Sequence, residues 1–185
     1  MAQPTPDIET IRASYQEFSD SFETLLMATS NNSGQPEASY ATYIKDSGEY
    51  YVYLSELAPH TGNLLEHPQC SVLFIENEED ASHLFARQRL TYQCEASEVT
   101  RGSDHFENIM DKFEKKFSNF MKTLRQLEDF HLFRIKPNKG SYVAGFAKAY
   151  EISGPNLETI TLRNEKGHTS QNKSVESKIN NVAAA

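Results

Sequence analysis

Six histidines, two cysteines and a few paired basic residues are the side chains of this sequence best suited to chemistry near neutral pH. His60, His67, His83, His105, His131 and His168 are scattered, with no HExxH pair. Cys70 and Cys94 are alone, without CxxC spacing, so a zinc site is not expected and the thiols are read as reduced. His67, His83 and His105 read as ordinary hydrogen-bonded or surface histidines. His168 differs in setting: the stretch NEKGHTS puts an imidazole beside a glycine on a segment free of strand constraints, where it can reach a ligand. Arg87 with Arg89, and Lys112 with Lys115 and Lys116, are basic spots able to meet a small anion or simply to be solvated surface.

The elements that must position these residues follow from periodicity. Ile8, Ile11, Tyr15, Phe18 and Phe22 recur at helical spacing and predict an N-terminal helix over 1–22 that caps the rest. Strands are expected at 23–30, 37–46 and 48–55, joined by the Gly-containing turns NNSG and KDSG. A short helix over 58–66 ends at His67-Pro68, and a continuously apolar strand over 70–76 follows. After the acidic turn ENEEDAS comes a long strand over 83–100. Phe106, Ile109, Met110, Phe113, Phe117, Phe120, Met121, Leu124 and Leu127 then mark one helix over 103–127. Two last strands, 130–135 and 142–147, are expected to be joined by a turn at KPNKG. The fold class predicted is α+β: an antiparallel barrel of six to seven strands with flanking helices, its main domain spanning 23–168 and a polar tail covering 169–185.

Composition excludes several classes. At 185 residues with 38% hydrophobic and 24% charged residues, the chain is one globular domain long and not compositionally disordered. A net charge of -8 without a basic stripe argues against nucleic acid. No window nears the ~18 apolar residues of a membrane span and no leader is visible, so a cytoplasmic, soluble protein is expected. Neither GxGxxG nor GxxxxGK is present, which excludes the two common nucleotide loops.

The segments HTGNLLEHPQCSVLF, FARQRLTYQCEASEV, DFHLFRIKPNKGSYVAGFAKAYEI and KGHT, in this order across most of 20–168, resemble the HugZ/HutZ-type haem-utilisation proteins. That family is a branch of the pyridoxamine-phosphate-oxidase-like FMN-binding split barrels. The resemblance implies a homodimeric split barrel with haem in a cleft between protomers, bound and opened with oxygen and electrons from an unidentified donor. His168 matches the axial iron ligand and Asp129 the acid that accepts its second N–H across the interface. His60 matches a histidine near that junction, and Arg89 the arginine facing haem, where it would pair with a propionate.

Plainer readings stand beside these: Asp129 ends the long helix, His60 caps the short one, and Arg89 is a surface ion-pair partner. FMN is the rival cofactor, with Arg87 and Arg89 available to its phosphate. Where the parent fold places a basic residue before Asn-Leu, however, SELAPHTGNL has His60 and Thr61. Three functions are thus open: a haem-degrading enzyme, an FMN-dependent oxidoreductase, and a haem carrier or storage protein.

Overall fold

The computed structural model describes residues 7–145 and 148–163. They fall into two compact units, one made of the described residues up to Ser21, 74–91 and 139 onward, the other of 22–73 and 92–138.

In the first unit, α1 (Ile8–Asp20) buries Ile11 and Tyr15, one turn apart. Its partners are Tyr142, Leu157 and Glu158. Tyr15 meets Tyr142 edge-on, with ring centroids 6.0 Å apart, and the Ser14 hydroxyl lies 2.7 Å from the Tyr142 hydroxyl. Arg12 donates to the carbonyls of Leu157 and Glu158 at 3.1 and 2.8 Å. Tyr142, Leu157 and Glu158 thus hold α1 by both packing and charge-assisted bonds.

The second unit opens with two hairpins. β1 (Thr24–Ser30) pairs antiparallel with β2 (Pro36–Thr42), and Asn31 Oδ1 accepts from the Ser33 and Gln35 amides at 3.0 Å each to build the NNSG turn. β3 (Ile44–Asp46) and β4 (Glu49–Ser55) are joined by Ser47 and Gly48, both at positive φ, the conformation a two-residue type I′ turn demands. Tyr50 to Leu54 are all buried, so β4 is covered on both faces. Tyr50 packs against Tyr43 and Tyr92, while Tyr51 and Tyr53 join the cluster built on the α3 helix (Asp104–Phe117).

That helix starts at Ser103, whose hydroxyl accepts from the Phe106 amide at 3.1 Å. Phe106, Ile109, Met110 and Phe113 form its buried stripe, each side chain stabilising the fold by ~1.5–3 kcal/mol. The single helix expected over 103–127 is broken: Ser118 takes φ 62° and a second helix, α4 (Asn119–Leu124), restarts beyond it. Ser118-Asn119 is a pair whose side chains compete with helical hydrogen bonding. The break leaves Phe120 70% exposed and turns Met121 inward.

Between the hairpins and α3 come α2 (Pro59–Glu66), β5 (Gln69–Ile75), a 3₁₀ turn (Leu84–Ala86) and β6 (Arg89–Glu98); after α4 come β7 (Phe130–Val143), β8 (Ala149–Ser153) and β9 (Thr159–Leu162). The strand order is β2-β1-β5-β6-β7-β4-β3, with β8 on the side of β7 and β9 on β8. Seven strands on one antiparallel path satisfy the expected barrel, and β8 and β9 are additions to it.

Two further expectations are corrected. The strand placed over 83–100 begins only at Arg89, because His83 Nδ1 accepts from the Phe85 amide at 3.2 Å and curls 84–86 into a turn. KPNKG is no turn: β7 runs through it without interruption. β7 pairs with β4 over 130–135 and with β8 over 140–143, so Pro137 falls in the gap between two partners, where its missing N–H costs no ladder bond to either. Of the strand expected over 142–147, the last two residues lie outside the described residues.

Candidate functional site

Asp129 follows α4 and precedes β7, at the point where the chain re-enters the sheet beside the end of β4. Its carbonyl accepts from the Glu56 amide at 2.8 Å. Its Oδ2 accepts from the Ser55 hydroxyl at 3.1 Å, and among the described residues Oδ1 accepts no hydrogen bond. The Ser55 oxygen also receives the Leu57 amide at 3.1 Å, which fixes the rotamer that reaches Asp129.

The same serine ties in α2. Thr61 Oγ1 donates to the Ser55 carbonyl at 2.6 Å, so the helix carrying His60 is anchored to the residue that holds Asp129. His60 is buried, and burial pushes its pKa below the usual imidazole value against a smaller opposing pull from Glu37. A neutral ring is therefore the form this position favours. The helix starts on Pro59 with no side-chain cap, so His60 does not serve as a cap. Asn63 donates to Thr29 and Glu37 at 2.9 and 3.4 Å, which commits this stretch to internal bonds.

Around Asp129 stand residues to which sequence reasoning gave no role. His131, two residues on, sits between Glu98 Oε1 at 2.6 Å from Nδ1 and Glu56 Oε1 at 2.8 Å from Nε2. Partial desolvation works against its charge, but the two carboxylates prevail and its pKa is raised. Arg101 donates to the carbonyls of Arg125 (3.1 Å), Leu127 (3.0 Å) and Phe130 (2.6 Å), and to the Tyr53 hydroxyl (3.0 Å). One guanidinium thus clamps the segment that ends in Asp129. Ser55 stood in the SELAPHTGNL stretch and His131 in DFH, but nothing in their spacing announces contacts formed across the sheet.

Arg87 and Arg89 belong to the other unit. Arg87 is spent: its Nε donates to the Glu76 carbonyl at 2.8 Å, Nη2 to the same oxygen, and Nη1 lies 3.4 Å from Glu78 Oε1. Arg89 makes one hydrogen bond among the described residues, from Nη1 to the Arg87 carbonyl at 3.1 Å, and so keeps donors for an anion. His168 and the tail 169–185 lie outside the described residues. Among the described residues no group of three or more His, Cys, Asp and Glu is placed to hold a metal ion, and no helix is long and apolar enough to cross a membrane.

An antiparallel sheet in this order is that of a split-barrel protein. The chain belongs to the pyridoxamine 5'-phosphate oxidase family, whose model matches residues 11–144. It is 39% identical over 153 residues to the heme oxygenase HutZ of Vibrio cholerae, a match spanning 83% of this chain and 86% of HutZ. The crystal structure of Campylobacter jejuni ChuZ resembles it with TM-score 0.78 at 31% identity, over 90% of this chain and 68% of ChuZ. A crystal structure of Vibrio cholerae HutZ, described there as a heme storage protein, gives TM-score 0.65 at 37% identity, over 68% of this chain and 89% of that one.

Proposed function

We propose that this chain is a haem-binding, haem-degrading protein that frees iron from haem, acting in the cytoplasm as a homodimer. The observation that carries the reading is Asp129: one carboxylate oxygen is tethered by Ser55, and the other accepts no hydrogen bond from the described residues. A carboxylate so held is suited to receive the N–H of an iron-ligating imidazole, fixing its ring and raising its basicity. We assign that imidazole to the partner's His168. Bound haem would be both substrate and the centre at which oxygen is activated.

The remaining residues have supporting roles. Arg89 retains donors suited to a propionate carboxylate. His60, favoured neutral, lies in the helix anchored on Ser55, where its protonation would disturb the packing around Asp129. The dimer is supported by apolar side chains left uncovered in the same unit: Leu57, two residues from Ser55, is 90% exposed, and the cross-strand pair Leu26 and Tyr40 is 43% and 68% exposed. The relatives named as heme oxygenase and heme storage protein favour haem over flavin. FMN remains the second reading, favoured by the family itself and by the donors of Arg89. The commitment of Thr61 and Asn63 to internal bonds weighs against a phosphate site in that stretch.

Titration of the full chain with haemin tests the reading. A Soret band that is lost in His168→Ala, and that bleaches under ascorbate and air, is the expected result. A stable Soret band would make the protein a carrier, a yellow flavin spectrum without haem uptake would make it an FMN oxidoreductase, and a monomer at working concentration would remove the shared site.

A further inference from the structure

Cys70 and Cys94 take no part in the site described above, yet the strands that carry them, β5 and β6, are neighbours in the sheet. Two ladder bonds give the register: the Ala96 amide donates to the Pro68 carbonyl at 2.7 Å, and the Glu76 amide to the Gln88 carbonyl at 2.9 Å. Both place Cys70 directly opposite Cys94. Opposed residues of the hydrogen-bonded kind stand with Cα atoms ~5.5 Å apart. A disulfide spans Cα separations of about 4.4–6.8 Å.

Face and access agree with register. Cys70 alternates in phase with buried Val72 and Phe74, and Cys94 with buried Tyr92 and Ala96, so both thiols stand on the same side of the sheet. The thiols hydrogen-bond to each other, which lowers the pKa of Cys70 against the opposing effect of burial and raises that of Cys94, where burial acts in the same direction. Cys70 is partly exposed and Cys94 buried. An oxidant therefore reaches Cys70 first, and Cys94 waits behind it.

We propose that Cys70 and Cys94 are a reversible modification site, closing to an intrachain disulfide when the protein meets a peroxide. The Cys70 thiolate attacks the peroxide, forming an S–O bond as the O–O bond breaks and, with hydrogen peroxide, one water leaves. The Cys94 sulfur, giving up its proton, then displaces the oxygen from Cys70 as a second water, and the S–S bond forms. Two thiols together lose two electrons and two protons, and one hydrogen peroxide is reduced to two waters.

The test treats the full chain with hydrogen peroxide, blocks remaining thiols with N-ethylmaleimide and weighs the intact protein and its tryptic peptides. Trypsin cuts at Arg87 and Arg89, so the two cysteines part unless bonded. The expected result is loss of both alkylatable thiols, a mass lower by two hydrogens, a cross-linked peptide pair joining Cys70 to Cys94, and full recovery with dithiothreitol. Cys94→Ala should halt at oxygen adducts on Cys70, and Cys70→Ser should leave Cys94 fully alkylatable. Thiols that stay free after peroxide, oxidation confined to methionines, or a disulfide joining two chains would each overturn the proposal.

Discussion

The Ser55 hydroxyl donates to Asp129 Oδ2 at 3.1 Å, joining the end of β4 to the start of β7 across 74 residues of sequence. Asp129→Asn keeps the shape but removes the charge that would polarise an imidazole N–H. Haem bleaching should slow by about 10–100-fold while the Soret band still forms. Ser55→Ala frees the carboxylate to turn and should lower the same rate by a smaller factor. Single-turnover bleaching under ascorbate measures both, and rates unchanged in Asp129→Asn would remove Asp129 from the reaction.

Two histidines of this unit should pull stability in opposite directions with pH. His131 binds its proton more tightly folded than unfolded, so its contribution is complete below ~6.5 and is lost as pH rises through its raised folded pKa. His60 binds its proton less tightly folded, so its contribution is complete above ~6.5 and is lost as pH falls through its lowered pKa. The thermal midpoint of the parent should therefore exceed that of His131→Gln by more at about pH 5.5 than at about pH 8.5, while its advantage over His60→Asn shrinks on acidification. Melting curves at the two values decide it.

Arg101 should prove costly to replace for a residue with no predicted role. Three of its donor contacts hold the Arg125–Phe130 segment and a fourth reaches the Tyr53 hydroxyl, and Arg101→Ala should destabilise the protein by about 1–3 kcal/mol. Arg101→Lys should recover little, since one ammonium cannot span carbonyls held by a planar fork. Amide exchange should quicken first over 124–131, before the β1–β2 hairpin responds.

The start of α3 gives a simpler number. Ser103→Ala deletes the acceptor for the Phe106 amide and should cost about 1 kcal/mol in urea unfolding. Ser103→Asp should be close to neutral, because a carboxylate caps as well and faces the positive end of the helix.

What was legible in the sequence was local. The Ile11–Tyr15 part of the α1 stripe, NNSG, KDSG and the Phe106–Phe113 face depend on residues a few positions apart and formed as their chemistry dictates, whereas Ile8 is half exposed and Phe22 falls beyond the helix end. Where a distant strand decides, local signals misled. Pro137, Asn138 and Gly140 are turn residues by type, yet all three lie within the unbroken strand β7, which the sheet flanks with β6, β4 and β8. Ser118 lies inside an apolar helical period and still breaks it. β8 and β9 are short and only partly apolar, and their pairing depends on β7. The site divides the same way. Asp129 and His60 come from a family resemblance and Arg87 and Arg89 from their paired basic charge, whereas Ser55, Arg101 and the Glu56–His131–Glu98 bridge join positions 24 to 75 residues apart, which no spacing rule reaches.

The unbroken course of β7 has a bearing on how this protein can be cut and rejoined. KPNKG is the place a designer would choose for a tag, a reporter or a new terminus, since its residues advertise a loop. Any insertion there would displace the rungs to β4 against those to β8, and an odd number would exchange the inward and outward faces of everything beyond it. The turn between β8 and β9 joins two strands that end beside one another and is the better graft point, provided the graft enters at 154–156 and spares the Leu157 and Glu158 carbonyls that receive Arg12.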